Sequence, residues 1–223
     1  MKTMMTLAIA TMIIASVATA DESRAPRILV DKPGLVTTLD NDGGRVELYA
    51  RSHAARTVEF HGGAVVQQPL VELLFVGTWD KSRADLLRQS ADHIGATDEF
   101  QSTHERGVKA TALPITTRTL AGRDTMNDLD VQSMIDRAIE HGSLPSRNDD
   151  TIYVLFLSPA ISSTLGDKTA GTDYASYHSH FHSHDVNVRY VVVPFHNDVN
   201  VMNQAAAASL IRAIVNPDGD GWY

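Results

Sequence analysis

Leu70-Val71-Glu72-Leu73-Leu74-Phe75-Val76-Gly77 is a nearly continuous apolar run that closes on glycine. A strand with one wet face alternates apolar and polar residues, whereas a strand buried on both faces reads like this one. On its C-terminal side the period changes. Ala84, Leu87, Ala91 and Ile94 fall on one helical face, Ser82 is placed to cap that helix with Asp85 three residues on, and Gly95 to end it. Ala110 to Leu120 alternates Thr with apolar residues and predicts a strand. Residues 127–142 give the clearest helix, with Val131, Met134, Ile135, Ala138 and Ile139 in one stripe. Asp128 and Asp130 sit in its first turn, Arg137 and His141 near its last, and Gly142 just beyond, as the helix dipole favours. Thr151 to Leu157 and Val188 to Phe195 predict two more apolar strands. Val201 to Val215 predicts a last helix, stopped by Asn216-Pro217. Strands alternating with helices predict an α/β fold with a mostly parallel sheet and flanking helices.

On the N-terminal side, residues 35–39 and 45–49 flank Asn41-Asp42-Gly43-Gly44, a turn sequence tolerant of positive φ, and predict an N-terminal β-hairpin appendage. Residues 21–57 are thus an extended lead-in and hairpin, and 58–223 the α/β domain. Residues 1–20 have the parts of an export signal in order: Lys2, an apolar run from Leu7 to Val17, and Ala18-Thr19-Ala20 before Asp21. That run is shorter than the ~20 residues needed to span a bilayer. The expectation is a cleaved signal, a secreted or periplasmic protein, and no stable membrane insertion. The 223 residues carry 19 Lys+Arg against 27 Asp+Glu, and removing residues 1–20 leaves a net charge of −9. An acidic domain is a poor partner for nucleic acid or anionic lipid. Cys is absent, which excludes thiol catalysis, disulfides, iron–sulfur clusters and Cys-ligated zinc.

Neither G-x-S-x-G, nor a Walker A loop, nor G-x-G-x-x-G occurs. His104-Glu105 begins like a zinc-protease helix, but Val108 stands where the second ligand belongs. The most distinctive segment is Tyr177-His178-Ser179-His180-Phe181-His182-Ser183-His184-Asp185, within a Ser-, Thr-, Gly- and His-rich connection over 159–185. In an extended chain His178, His180, His182 and His184 line one face, ~6.6 Å apart. Two imidazoles at that spacing can bracket zinc or copper, with His196 or Asp185 completing the sphere. The same tract also reads as a solvated polar loop without a target. Asn216-Pro217-Asp218-Gly219-Asp220-Gly221 is similar to the first half of a calcium loop, but the position-12 ligand falls beyond Tyr223, so a turn is expected. His61-Gly62-Gly63 resembles loops whose backbone N–H groups bind ligand oxyanions, and is also a plain glycine turn.

Several of these segments together resemble the exordium-like, phosphate-induced protein 1 type of exported proteins. They are Phe60-His61-Gly62-Gly63, Leu74-Phe75-Val76-Gly77-Thr78-Trp79, Ile152 to Ser158, Tyr177 to Phe181, Arg189 to Pro194, and Asn216 to Trp222, in the family's order over residues 58–223. The resemblance implies export, a mixed α/β organisation in which a zincin-like layout is admissible, and action at the cell surface or wall. Bacterial relatives carry S-H-E-L-A-E-A-V-T-D-P near the end, similar to a zincin helix with a His ligand and a Glu base. Counting back from Pro217, this chain has Ala208 for that His, Ser209 for that Glu, Arg212 for the second Glu and Asn216 for the Asp. Alanine binds no zinc, serine is no carboxylate base, and Arg212 repels a cation.

The expectation is therefore an exported, non-catalytic domain that binds a surface, wall or peptide ligand and has no catalytic residues. The alternative is a histidine-rich metal-binding protein or metal-dependent hydrolase, with zinc or copper on His178, His180, His182, His184 and His196.

Overall fold

The computed structural model describes residues 30–32, 35–41, 44–49 and 59–222. The segment 1–20, expected to be an export signal, and most of the expected lead-in over 21–34 lie outside them. In chain order the strands are β1 (Val30–Lys32), β2 (Leu35–Asn41), β3 (Gly44–Tyr49), β4 (Leu70–Val76), β5 (Ile115–Leu120), β6 (Thr125–Met126), β7 (Thr151–Leu157), β8 (Ser162–Leu165), β9 (Lys168–Thr169), β10 (Ser176–Ser183) and β11 (Val186–Val193). The helices are α1 (Lys81–Asp92), α2 (Asp98–Gln101), α3 (Asp128–Glu140) and α4 (Val199–Val215).

The fold is mixed α/β. One sheet has the order β1-β2-β3-β10-β11-β7-β4-β5. The half that runs to one edge, β11-β7-β4-β5, is parallel, and the remaining pairings are antiparallel. The continuous apolar runs have the expected cause: β7 is buried at all seven positions and β4 at six of seven. The hairpin β2–β3 forms with Asn41 opposite Gly44. Its second strand pairs with β10, so it extends the main sheet. β6, β8 and β9 make a small second sheet.

Helix α1 crosses from β4 to β5 and α3 from β5 to β7, so the sheet grows in opposite directions from β4. α1 and α4 pack on one face around Phe75, Phe156, Val191, Leu210 and Ile214. α3 packs on the other around Leu74, Leu155, Tyr190 and Val192. The stripe of α3 lies where its period places it, with Val131, Ile135 and Ile139 buried. Asn127 caps α3 in a reciprocal capping box with Asp130.

Three local expectations change. The cap of α1 is Asp80, whose side chain accepts the Arg83 N–H, not Ser82. The strand expected over 110–120 starts only at Ile115. Pro114 has no N–H to give the ladder, although its carbonyl accepts from Val71. The long connection over 159–185 is largely built: it holds β8, β9 and β10. β10 runs antiparallel to β11 across a tight turn in which His184 (φ 50°) and Asp185 (φ 64°) both have positive φ. Such turns match the twist of the flanking strands, and the strain at two non-glycine residues is tolerable in short polar ones. Among the described residues no helix is long and apolar enough to cross a membrane.

Candidate functional site

His178, His180 and His182 lie in extended chain on β10, as expected, but His184 falls in the turn beyond it, and the imidazoles meet different surroundings. His178 is buried on the α4 face, with Nε2 3.2 Å from the Asn216 carbonyl. Burial lowers its pKa to about 3, against the opposing pull of that carbonyl. His180 is half-buried. Burial also lowers its pKa, the carboxylates of Asp218 and Asp220 oppose that, and its Nδ1 has no hydrogen bond. His182 is exposed, with Nδ1 3.2 Å from Asn187 Oδ1. His184 leaves the alternating face at the turn and lies 4.0 Å from Glu140. His196 sits past the far end of β11. His182 pairs with Asn187, and the strand from Asn187 to Val193 alone separates them by about 20 Å. Among the described residues no group of three or more His, Asp or Glu is arranged to hold a metal ion. The five histidines expected to form one site therefore do not converge.

The C-terminal turn locks onto this strand from the α4 side. Asp218 takes two hydrogen bonds of 3.0 Å from Arg189, through Nε and Nη2. Arg189 also donates through Nη1 to the Asp149 carbonyl. Asn216 Oδ1 accepts the Gly221 N–H at 2.7 Å. The Asp218 carboxylate, one of the two that a calcium loop would use, is thus held by a guanidinium. His61-Gly62-Gly63 is the other half of this lock. The His61 N–H donates to the Gly221 carbonyl and the Gly63 N–H to the Asp220 carbonyl, both at 2.9 Å. A Cβ on Gly63 would lie 2.3 Å from Asp220 backbone atoms, so only glycine fits. Two of the N–H groups proposed for an oxyanion are committed to closing the chain. Phe60 and Trp222 extend the lock with a tilted ring contact at 5.2 Å.

Helix α4 turns Ser209 and Arg212 into the packed interior. Ser209 is fully buried, and its Oγ lies 2.7 Å from Ser176 Oγ, which donates to the Ala205 carbonyl at 3.0 Å. Arg212 is buried close enough to His178 to disfavour its protonation.

An open cleft of about 470 Å³ lies beyond the carboxyl end of β11. Carboxyl edges of parallel strands are where open α/β sheets take ligands. Its apolar wall is Phe195, Val201 and Met202, and its polar groups are Thr172, Asp173 and His196. Asp173 Oδ2 accepts the Thr169 N–H at 2.8 Å. His196 Nδ1 accepts the Asp198 N–H at 3.0 Å, which leaves Nε2–H of the neutral ring as a donor. Arg83 of α1 fixes this corner. It donates to the carbonyls of His196 (2.9 Å) and Asn197 (2.6 Å) and stands 4.8 Å from the Phe195 ring centroid. Sequence reasoning named His196 but gave it the wrong neighbours. It missed Thr172 and Asp173, whose only signal was the position of the 159–185 connection before the last parallel strand, and Arg83, which has no local signal because its partners lie more than a hundred residues away.

The arrangement can recognise a polar group on an apolar body: a carboxylate, a hydroxyl and an imidazole N–H surround an aromatic and aliphatic wall. Set against known proteins, the chain matches no family model, no curated protein and no solved structure.

Proposed function

We propose that the protein is an exported, non-catalytic binding domain of the exordium-like type, taking a small surface, wall or peptide ligand in the cleft beyond β11. The observation that carries this reading is the state of Ser209. At the position where a zincin-type helix places its glutamate base, the side chain is buried and hydrogen-bonded to Ser176 at 2.7 Å. Helix α4 there acts as packing, with Ala205, Ala206, Leu210 and Ala213 buried beside it. The residues lining the cleft supply recognition groups, already oriented by backbone contacts.

Two measurements test the reading. Amino-terminal sequencing of the protein from cell fractions is expected to find a mature chain beginning at Asp21 outside the cytoplasm; an intact Met1 in the cytoplasm would remove export. Amide shift titration with N-acetylglucosamine oligomers and short peptides is expected to give saturable shifts at Asp173 and His196. Those shifts should vanish in the Asp173→Ala/His196→Ala variant while the fold persists. Chelator-sensitive cleavage of a bound peptide or ester would overturn the non-catalytic reading.

A further inference from the structure

The geometry points to a second site, independent of the first: a cleft of about 330 Å³ between the segment after β5 and the outer face of α3, which we infer takes a small organic monoanion, a carboxylate on an apolar body. Arg123, Ser133 and Arg137 line it together with Met126, Met134 and Asp130. Asp130, Ser133 and Arg137 follow one another at i, i+3 and i+7 on α3 and so share a face.

The charges in the cleft do not cancel. Arg123 Nη1 is paired with Asp130 Oδ1 at 3.1 Å, and the other Asp130 oxygen accepts the Asn127 N–H in the capping box. Asp130 is therefore fully used by one guanidinium and one helix end. The Arg137 side chain has no ion-pair or hydrogen-bond partner among the described residues. The lining carries a net +1 in a chain whose formal charge is −8. A single carboxylate balances that charge, and a planar guanidinium can receive it through two parallel hydrogen bonds. Ser133, one turn before Arg137, adds a hydroxyl donor.

Shape supports the same ligand. Met126 is buried at the base and Met134 partly so, which gives an apolar, adaptable floor. The wall approaches the sheet closely because residue 122 is glycine: a Cβ there would lie 2.4 Å from Ile161 Cδ1 and 2.9 Å from Val76 Cγ1. The volume is at the small end of the ~300–1,000 Å³ usual for ligand pockets, which suits a short acid rather than a nucleotide.

The test compares hexanoate with hexanol by amide shift titration of the purified protein. Hexanoate should bind saturably and shift Gly122, Ser133 and Arg137, with hexanol at least about tenfold weaker, as loss of a charged hydrogen bond implies. Arg137→Ala should weaken hexanoate by about tenfold and Arg137→Lys by less, since lysine keeps the charge but not the fork. Arg137 is exposed, so both variants should retain the parent melting temperature. Equal binding of hexanol, an Arg137→Ala affinity within twofold of the parent, or full competition by inorganic phosphate at equal concentration would each overturn the assignment. So would a hexanoate response lost only in the Asp173→Ala/His196→Ala variant, which would move the ligand to the cleft beyond β11.

Discussion

Along β11, Val191 and Val193 turn toward α1 and α4, while Tyr190 and Val192 turn toward α3, and the two layers hold the same strands by different means. The α1/α4 layer is mostly close-packed hydrocarbon. Small residues Ala205, Ala206 and Ala213 let α4 approach the sheet, and Leu210 and Ile214 fill the remaining space. The α3 layer is aromatic and threaded with hydroxyls. Tyr174, Tyr177 and Tyr190 meet edge to face at 5.6 and 6.3 Å. The Tyr190 hydroxyl donates to Asp128 Oδ1 at 2.7 Å, and Gln132 bridges Asp128 Oδ2 and that hydroxyl at 2.8 and 3.1 Å. The α1/α4 face is held chiefly by shape, with its polar contacts (Ser176–Ser209 and Arg189–Asp218) gathered where β10 and β11 meet α4 and the C-terminal turn. The other is held by shape plus a buried network centred on Asp128. The difference teaches where each face is vulnerable: to lost volume on one side, to lost partners on the other.

The largest effect is expected from volume. Leu210 is almost fully buried, and Leu210→Ala should cost about 3 kcal/mol, since the cavity beneath a helix anchored at both ends collapses only in part. Urea denaturation measures it. A loss under about 1 kcal/mol would mean that the alanine-rich helix settles into the space, and that the α1/α4 face is softer than its packing implies.

Next comes the partner effect. Tyr190→Phe keeps nearly all the ring volume and removes one donor to a buried carboxylate. The expected cost is about 1–3 kcal/mol, the penalty of an under-satisfied buried group. Asp128→Asn in the same background then separates the network from the ring. If the network is the source, the two losses should not add, because they remove one interaction.

This contrast was only half legible in the sequence. The runs at 70–77 and 151–157 disclosed the buried parallel strands, because burial on both faces suppresses alternation. The stripe of α3 disclosed its inner face for the same kind of reason. The hydroxyl network was not legible. Asp128 reads as an ordinary first-turn acid, and nothing local says that Tyr190, sixty-two residues later, is opposite it. The histidines show the converse. Their spacing was legible and the extended conformation of His178, His180 and His182 correct, yet β10 slants from core to solvent, so equal spacing gave unequal burial. The sharp turn at His184-Asp185 and the length of β11 then separated the rest. Glycine 63 was visible as a turn; that its N–H would close on Asp220 depended on a contact across most of the chain.

Acid should separate the two faces by sign. His178, on the α4 face, has its pKa lowered to about 3 by burial, so the folded state binds fewer protons than the unfolded state below the ordinary histidine value. Its contribution is complete above pH ~6.5 and is lost as pH falls through that value toward about 3, at up to about 1.4 kcal/mol per pH unit. Asp128, on the α3 face, is shifted the other way: burial raises its pKa, against its hydrogen bond from Tyr190. There the folded state holds the proton more tightly, and stability declines as pH rises through the raised value. Melting temperatures followed from pH 7.5 to 4 should therefore fall in the parent, fall less in His178→Gln, and fall more steeply in Asp128→Asn. Parallel curves for all three would show that neither group titrates differently on folding.

The smallest effect discriminates most between the two accounts of the α3 face. Tyr153 stands opposite Tyr190 across the β7–β11 pairing and is equally buried, but its hydroxyl has no hydrogen-bond partner. Burial, with Glu72 nearby, pushes that hydroxyl's pKa up to about 12, so it stays protonated and unpaired. If hydroxyls on this face matter only through their partners, Tyr153→Phe removes a desolvated group that returns nothing, and stability should change by no more than about 0.5 kcal/mol, in the direction of a gain. If instead ring polarity or packing at the hydroxyl position matters in its own right, Tyr153→Phe should cost as much as Tyr190→Phe. Side-by-side urea titrations of the two variants decide between these accounts, because the rings are neighbours in one row of the sheet and differ chiefly in what the oxygen meets.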